Sequence, residues 1–217
     1  MIAPPATAAP AGRLLAYRRP FRDRVDRVGL ATAAPVSLAF LTVSLVVSSL
    51  WRAARPGEHR LVAACCAWRA ADLPGGSPLP LLGSALLVRR PVEALWTVAA
   101  TWLVLGPLEA LIGSRRLLLL AALGNVVPTL LVDLCWLAGG RTGTDLAGLD
   151  VGTSGVVVTT AAALAVAASS LPVAAVLAAA LAVDIAAAPG LATAEHLVAV
   201  VVGVLLAMAL ARRMRAR

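Results

Sequence analysis

Six apolar runs divide this chain and leave it few possible folds. They cover about Leu30–Trp51, Pro91–Ile112, Leu117–Leu137, Val151–Ser169, Leu171–Ala187 and Ala194–Ala211. Each approaches the ~20 residues that a helix needs to cross the hydrocarbon core of a bilayer. In that core a backbone must satisfy its own hydrogen bonds, which a helix does within one segment. The expected fold is all-α: a polytopic membrane protein with six transmembrane helices. Composition agrees, with 60% of residues hydrophobic and 14% charged, against about 25% charged in a soluble domain. The fourth and fifth runs are short and alanine-rich. They meet at Ser169-Ser170-Leu171-Pro172, where proline suits the first turn of a new helix.

The formal net charge of +8 is carried by arginine alone, since the chain has no lysine. The arginines sit between the runs, so they report membrane orientation rather than a nucleic-acid partner. One cluster holds Arg13, Arg18, Arg19, Arg22, Arg24 and Arg27; a second is Arg115-Arg116; a third is Arg212, Arg213, Arg215 and Arg217. With six spans all three fall on one side, which the positive-inside rule makes the cytoplasm. Both termini are then cytoplasmic, in a multi-pass protein of the plasma membrane. The excess of alanine and arginine matches a GC-rich genome, a coding bias rather than a mechanism. The organisation expected is a disordered Ala/Pro-rich tail and basic collar over 1–28, a membrane domain over 29–212 and a basic tail over 213–217.

The first loop, about 52–90, is external on this topology and too long for a simple connection. Within it Leu61, Ala64, Cys65 and Trp68 share one helical face, which predicts a short interfacial helix. His59, beside Glu58 and arginines, reads as a solvated surface histidine. The three cysteines, Cys65, Cys66 and Cys135, lack metal-ligand spacing and read as small buried residues. No metal or cofactor is expected.

Gly152-Thr153-Ser154-Gly155 stands at the head of the fourth run. Taken by itself it reads as a helix start capped by Asp150 or Thr153. The chain has only two histidines, and the second, His196, lies about one turn into the last run. Ser154 and His196 are thus expected at the same depth, one turn inside the external face. A serine that attacks a carbonyl needs a base, and neutral imidazole is the usual one. Small residues recur on both runs: Ser154, Ala161, Ala162 and Ala165 on the fourth, and His196, Ala199, Gly203 and Ala207 on the last. Such stripes let membrane helices approach closely. Asp133 and Asp184 are further ionisable groups inside runs, and Trp51, Trp96, Trp102 and Trp136 read as interface or packing aromatics.

From about Pro80 onward these residues resemble the rhomboid family of intramembrane serine proteases. "LGPLEALIGSRRLLLLAALGN" is similar to the family's second span and turn, with Glu109 followed by Gly113. "GTSG" resembles its Gly-x-Ser-Gly nucleophile motif, and "EHLVAVVVG", with His196 and Gly203, its last span. The resemblance implies a six-helix bundle around a water-filled cavity open to the outside. Ser154 would be the nucleophile and His196 the base and then acid. Gly152, Gly155 and Gly203 would allow close packing, while Glu109 and Gly113 would be structural, Glu109 anchoring the first loop. Counting back from Glu109, the family's oxyanion-side histidine and asparagine fall on Glu93 and Thr97, so Thr97 is the candidate oxyanion donor. Val158 stands where the family often has tyrosine, the loop Trp-Arg pair is missing near Leu79-Pro80, and Ala199 replaces a usual glycine.

Three functions follow. The first is an intramembrane protease whose partners are membrane-spanning substrates and the lipid bilayer. The second is a catalytically silent rhomboid-like protein that binds other transmembrane helices. The third is a small transporter or channel subunit using Asp133, Asp184 and Glu195.

Overall fold

The computed structural model describes residues 19–54, 59–69, 79–140, 152–187 and 190–215, and these are helical apart from turns, a bridge at Trp68 and a non-helical stretch over 85–90. The tail before Arg19 and the Asp150 cap lie outside them. The basic collar is helical: α1 spans Arg19–Val28. A short turn, α2 (Leu30–Ala33), leads into α3 (Pro35–Ala53). The first loop holds α4 (His59–Cys66) and α5 (Leu79–Ser84). The second span is built from α6 (Pro91–Ala100), a π-helical stretch Thr101–Leu105, and α7 (Gly106–Ile112). Then follow α8 (Ser114–Ala138), α9 (Ser154–Ala167), α10 (Leu171–Ala187) and α11 (Leu191–Arg215).

Four of these segments are long and apolar enough to cross a membrane: Pro35–Ala53, Pro91–Ile112, Ser114–Ala138 and Leu191–Arg212. α9 and α10, with 14 and 17 residues, are shorter apolar helices. At 1.5 Å per residue they reach about 21 and 26 Å, against roughly 30 Å of hydrocarbon.

Local chemistry explains the breaks. Pro35 opens α3 at a position where its missing N–H costs nothing. Pro107 cannot donate to the helix ladder, and the turn before it widens, with Gly106 N–H bonded to Thr101 O. Gly113 adopts φ +85, closing α7 and opening α8. That left-handed conformation is cheap only without a Cβ.

The surface and interior are arranged as a membrane protein requires. Leu95, Trp96, Leu118, Leu119, Leu131, Val176 and Leu205 are exposed, whereas Ser37, Ser44, Ser48, Thr97, Glu109, Asn125, Asp133, Thr159 and Thr160 are buried. A soluble protein sorts these residue types the other way. In α3 the buried residues are all serines. Ser48 Oγ accepts the Val88 N–H at 2.9 Å, fixing the end of the first loop against this helix.

α8, α9 and α11 pack closely together. Gly124 of α8 faces Thr159 of α9 so closely that a Cβ would lie 2.6 Å from the Thr159 side chain. A Cβ on Gly203 of α11 would run into the carbonyl oxygen of the same Thr159. The Thr159 hydroxyl donates at 3.2 Å toward both Gly124 O and Ala199 O, joining three helices at one side chain. Ala163 and Leu164 of α9 cluster with Ala207 of α11 and with Leu108, Leu117 and Leu120. The structure thus gives Gly203→Leu no room. We expect it to lower stability by about 1–3 kcal/mol, read as a lower thermal midpoint in detergent. An unchanged midpoint would contradict this crossing.

Candidate functional site

The first loop folds onto the end of the bundle where α9 begins. Gly83 of α5 packs against the Cys65 carbonyl of α4. Asn125 Nδ2 donates to Leu81 O at 2.7 Å and to Ser84 Oγ at 3.3 Å, tying α5 to α8. Trp68 Nε1 donates to Asp133 Oδ2 at 2.8 Å, and both residues are buried. Asp133 is therefore a loop-to-span tether rather than an interfacial group. The predicted face of α4 looks outward, because Leu61, Ala64 and Cys65 are exposed, while Trp68 has turned inward. His59 is not simply solvated: its ring stacks on Trp51, with centroids 4.4 Å apart and planes 12° from parallel. Of the cysteines only Cys66 is buried, whereas Cys65 and Cys135 are exposed. Burial, with Cys65 beside it, pushes the Cys66 thiol above its ordinary value.

The docked loop sets the entry to α9. Gly152 N–H donates to Ser84 O at 2.9 Å. Gly152 has φ +142, and a Cβ there would meet nothing nearer than 3.9 Å. Its role is therefore conformational, not the close packing expected of it. Thr153 is the N-cap residue but makes no side-chain cap bond. Its hydroxyl lies 3.0 Å from that of Thr97 instead. Ser154 is the first residue of α9 and is exposed. The N–H groups of Ser154, Gly155 and Val156 precede the first i→i−4 bond, from Val157 N–H to Thr153 O. They form the positive end of the helix dipole. Gly155 makes ordinary contacts at 3.5 Å with Asn125 Oδ1 and Gly124 O.

α9 and α11 run parallel, and their register can be read from contacts. Thr159 meets Ala199 and Gly203, and Ala163 clusters with Ala207. The same register carried back one turn brings Ser154 level with His196. The stripe expected on α11 faces inward, with Ala199, Gly203 and Ala207 buried. Ser154 and His196 are not hydrogen-bonded to each other. Instead His196 Nδ1 lies 2.8 Å from Asp184 Oδ2 of α10, with side chains 18% and 32% exposed. Nothing in the run "AALAVDIAA" shows which neighbour its aspartate would meet, and sequence reasoning missed this pair.

Two oxyanion-side expectations change. Thr97 is buried at 1% exposure, and its hydroxyl donates to Glu93 O at 2.9 Å while contacting Thr153. With its single proton committed, Thr97 supports the turn before Ser154 and offers no donor to a bound carbonyl. The Glu93 carboxylate turns back to Arg90, accepting its N–H at 3.2 Å.

Glu109 is fully buried at the opposite end of the bundle. It accepts from Val36 N at 3.0 Å, Ser37 N at 2.8 Å, Ser37 Oγ at 2.7 Å and Ser114 Oγ at 2.6 Å. It therefore caps the start of α3, where Ala34 has no side chain to do so, rather than anchoring the first loop. Nearby, Phe21 of α1 fills the space over Gly106, with its ring centroid 6.1 Å from that of Trp102. No protein-family model, curated protein or solved structure matches the chain.

Proposed function

We propose that this chain is a rhomboid-like intramembrane serine protease of a bacterial plasma membrane, cleaving membrane-spanning substrates with Ser154 and His196. The observation that carries the reading is the common level of these two residues on parallel, closely packed helices. α9 and α10 complete a six-span bundle in this reading. Short spans lower one bundle end into the membrane, where water must enter for hydrolysis. Both termini and Arg115-Arg116 face the cytoplasm, and the loop that docks over α9 is external.

The chemistry follows from the groups present. A substrate helix hides its carbonyls in hydrogen bonds, so the segment near Ser154 must unwind first. Ser154 Oγ attacks the exposed carbonyl carbon, and its proton passes to the free ring nitrogen of His196. The oxyanion is stabilised by N–H groups at the start of α9, Ser154 among them. The C–N bond then breaks as His196 returns the proton to the leaving amine. Water, deprotonated by His196, attacks the acyl carbon, the C–Oγ bond breaks and His196 returns the proton to Ser154 Oγ. With no hydroxyl donor from Thr97, slow turnover is expected, since one missing oxyanion donor costs on the order of 100- to 1000-fold.

The lack of a Ser154–His196 hydrogen bond favours one second reading, the silent rhomboid-like protein that binds other transmembrane helices. In an empty site a catalytic bond often forms only when substrate arrives. The transporter reading loses support because Asp133 and Asp184 are engaged by Trp68 and His196. A serine-directed fluorophosphonate decides between the first two. The purified chain should label, and Ser154→Ala should not. A folded wild type that stays unlabelled would favour the silent binder.

A further inference from the structure

His196 is level with Ser154 of α9 and is bonded to Asp184 of α10. From Ser154 to Ala167, α9 carries no titratable residue, and α10 carries one, Asp184. α11 itself adds Glu195, next to the histidine and buried, and the arginines from Arg212 onward. On α8, the carboxylate of Asp133 is bonded to Trp68, and Arg115 and Arg116 sit at the far end. Among the described residues, Asp184 is thus the acid that another helix presents to His196.

α10 has no buried residue and is otherwise apolar along its length. A tether between α10 and α11 needs only a hydrogen bond, which a hydroxyl or an amide would supply. A carboxylate does more. It accepts but cannot donate, so the ring nitrogen facing it must carry the proton. The 2.8 Å separation from Nδ1 lies in the charge-assisted range. That fixes the neutral ring as the Nδ1–H tautomer and leaves Nε2 as the lone-pair base.

We propose that Asp184 is a positioning residue that holds His196 in the Nδ1–H tautomer and steadies its imidazolium during catalysis. This rests on the protease reading above. In the attack step the Ser154 Oγ–H bond breaks, the Oγ–C bond forms and the proton moves to Nε2. Asp184 keeps its charge and takes no proton, and Nδ1–H stays bonded to it throughout. When the C–N bond breaks, the proton leaves Nε2 for the amine nitrogen. The working unit is therefore a triad in chain order Ser154, Asp184, His196.

The test uses the full chain with ¹⁵N-histidine in lipid nanodiscs, in a His59→Gln background so that one imidazole remains. The expected ring-nitrogen shifts are those of a neutral Nδ1–H tautomer. Asp184→Asn, whose amide can donate to Nδ1, should move them toward Nε2–H. It should also slow fluorophosphonate labelling about 100-fold or more, with Asp184→Glu recovering part of the rate. A purely structural tether would leave tautomer and labelling rate unchanged at equal thermal midpoint, and that result overturns the proposal. Should Asp184→Asn fail to fold, the wild-type spectrum decides, because an Nε2–H tautomer there also overturns it. A wild type that never labels removes the protease reading and this proposal together. Labelling that is normal in wild type and unaffected in Asp184→Asn removes this proposal alone.

Discussion

Ser154→Ala and His196→Ala are each expected to abolish cleavage of a membrane-spanning substrate by the protein in liposomes. Removing either member of a nucleophile–base pair lowers turnover on the order of 10⁴- to 10⁶-fold. In the proposed mechanism the two act as one unit, so the double variant should be no worse than either single one. Substrate binding should be nearly unchanged, since neither side chain contributes much contact area. Ser154 is exposed at the start of α9, so its loss removes no packing. His196 is only partly buried, and its replacement frees Asp184 of α10, so its thermal midpoint should be followed alongside. Cleavage that persists in Ser154→Ala would end the protease reading for this site. Single-variant losses that multiplied in the double variant would show that the two residues do not act together.

Glu109→Ala is expected to be the most damaging substitution for stability. The carboxylate is fully buried and receives hydrogen bonds from Val36 N, Ser37 N, Ser37 Oγ and Ser114 Oγ. Alanine would leave two backbone N–H groups at the start of α3 without a partner. Each buried unsatisfied donor costs about 1–3 kcal/mol. The helix would also lose a negative group at its positive end, worth roughly 0.3–1 kcal/mol or more when partly buried. A total of about 3–5 kcal/mol is expected, partly offset where water reaches the site. Thermal unfolding in detergent should show it as a large drop in midpoint. Glu109→Gln keeps an acceptor but not the charge, and should fall between wild type and alanine. A midpoint within a degree of wild type for the alanine variant would show that the start of α3 does not depend on this carboxylate.

What the sequence determined was where the long apolar helices lie, though not the helical collar α1, the loop helix α5 or the break at Ala34. The second span ends at Pro91 and Ile112 in the structure as in the sequence reading, and α10 covers Leu171–Ala187 in both. These limits rest on local quantities: the length of an apolar run, a proline at its start, a glycine at φ +85 at its end. The stripe His196, Ala199, Gly203, Ala207 was legible too, because glycine and alanine at helical spacing mark a close crossing whatever the partner. The tertiary structure alone decided which side chains meet. Thr159 as a three-helix junction, the serine face of α3, Glu109 capping α3 and Asp184 holding His196 all depend on how each helix is rotated about its axis. In a soluble helix one apolar face would announce that rotation. Here α9, α10 and α11 show no single apolar face, and lipid is as good a neighbour for leucine as another helix is. Rotation was therefore set by a few small gaps and polar bonds between residues far apart in the chain, and those become visible only once the helices are packed.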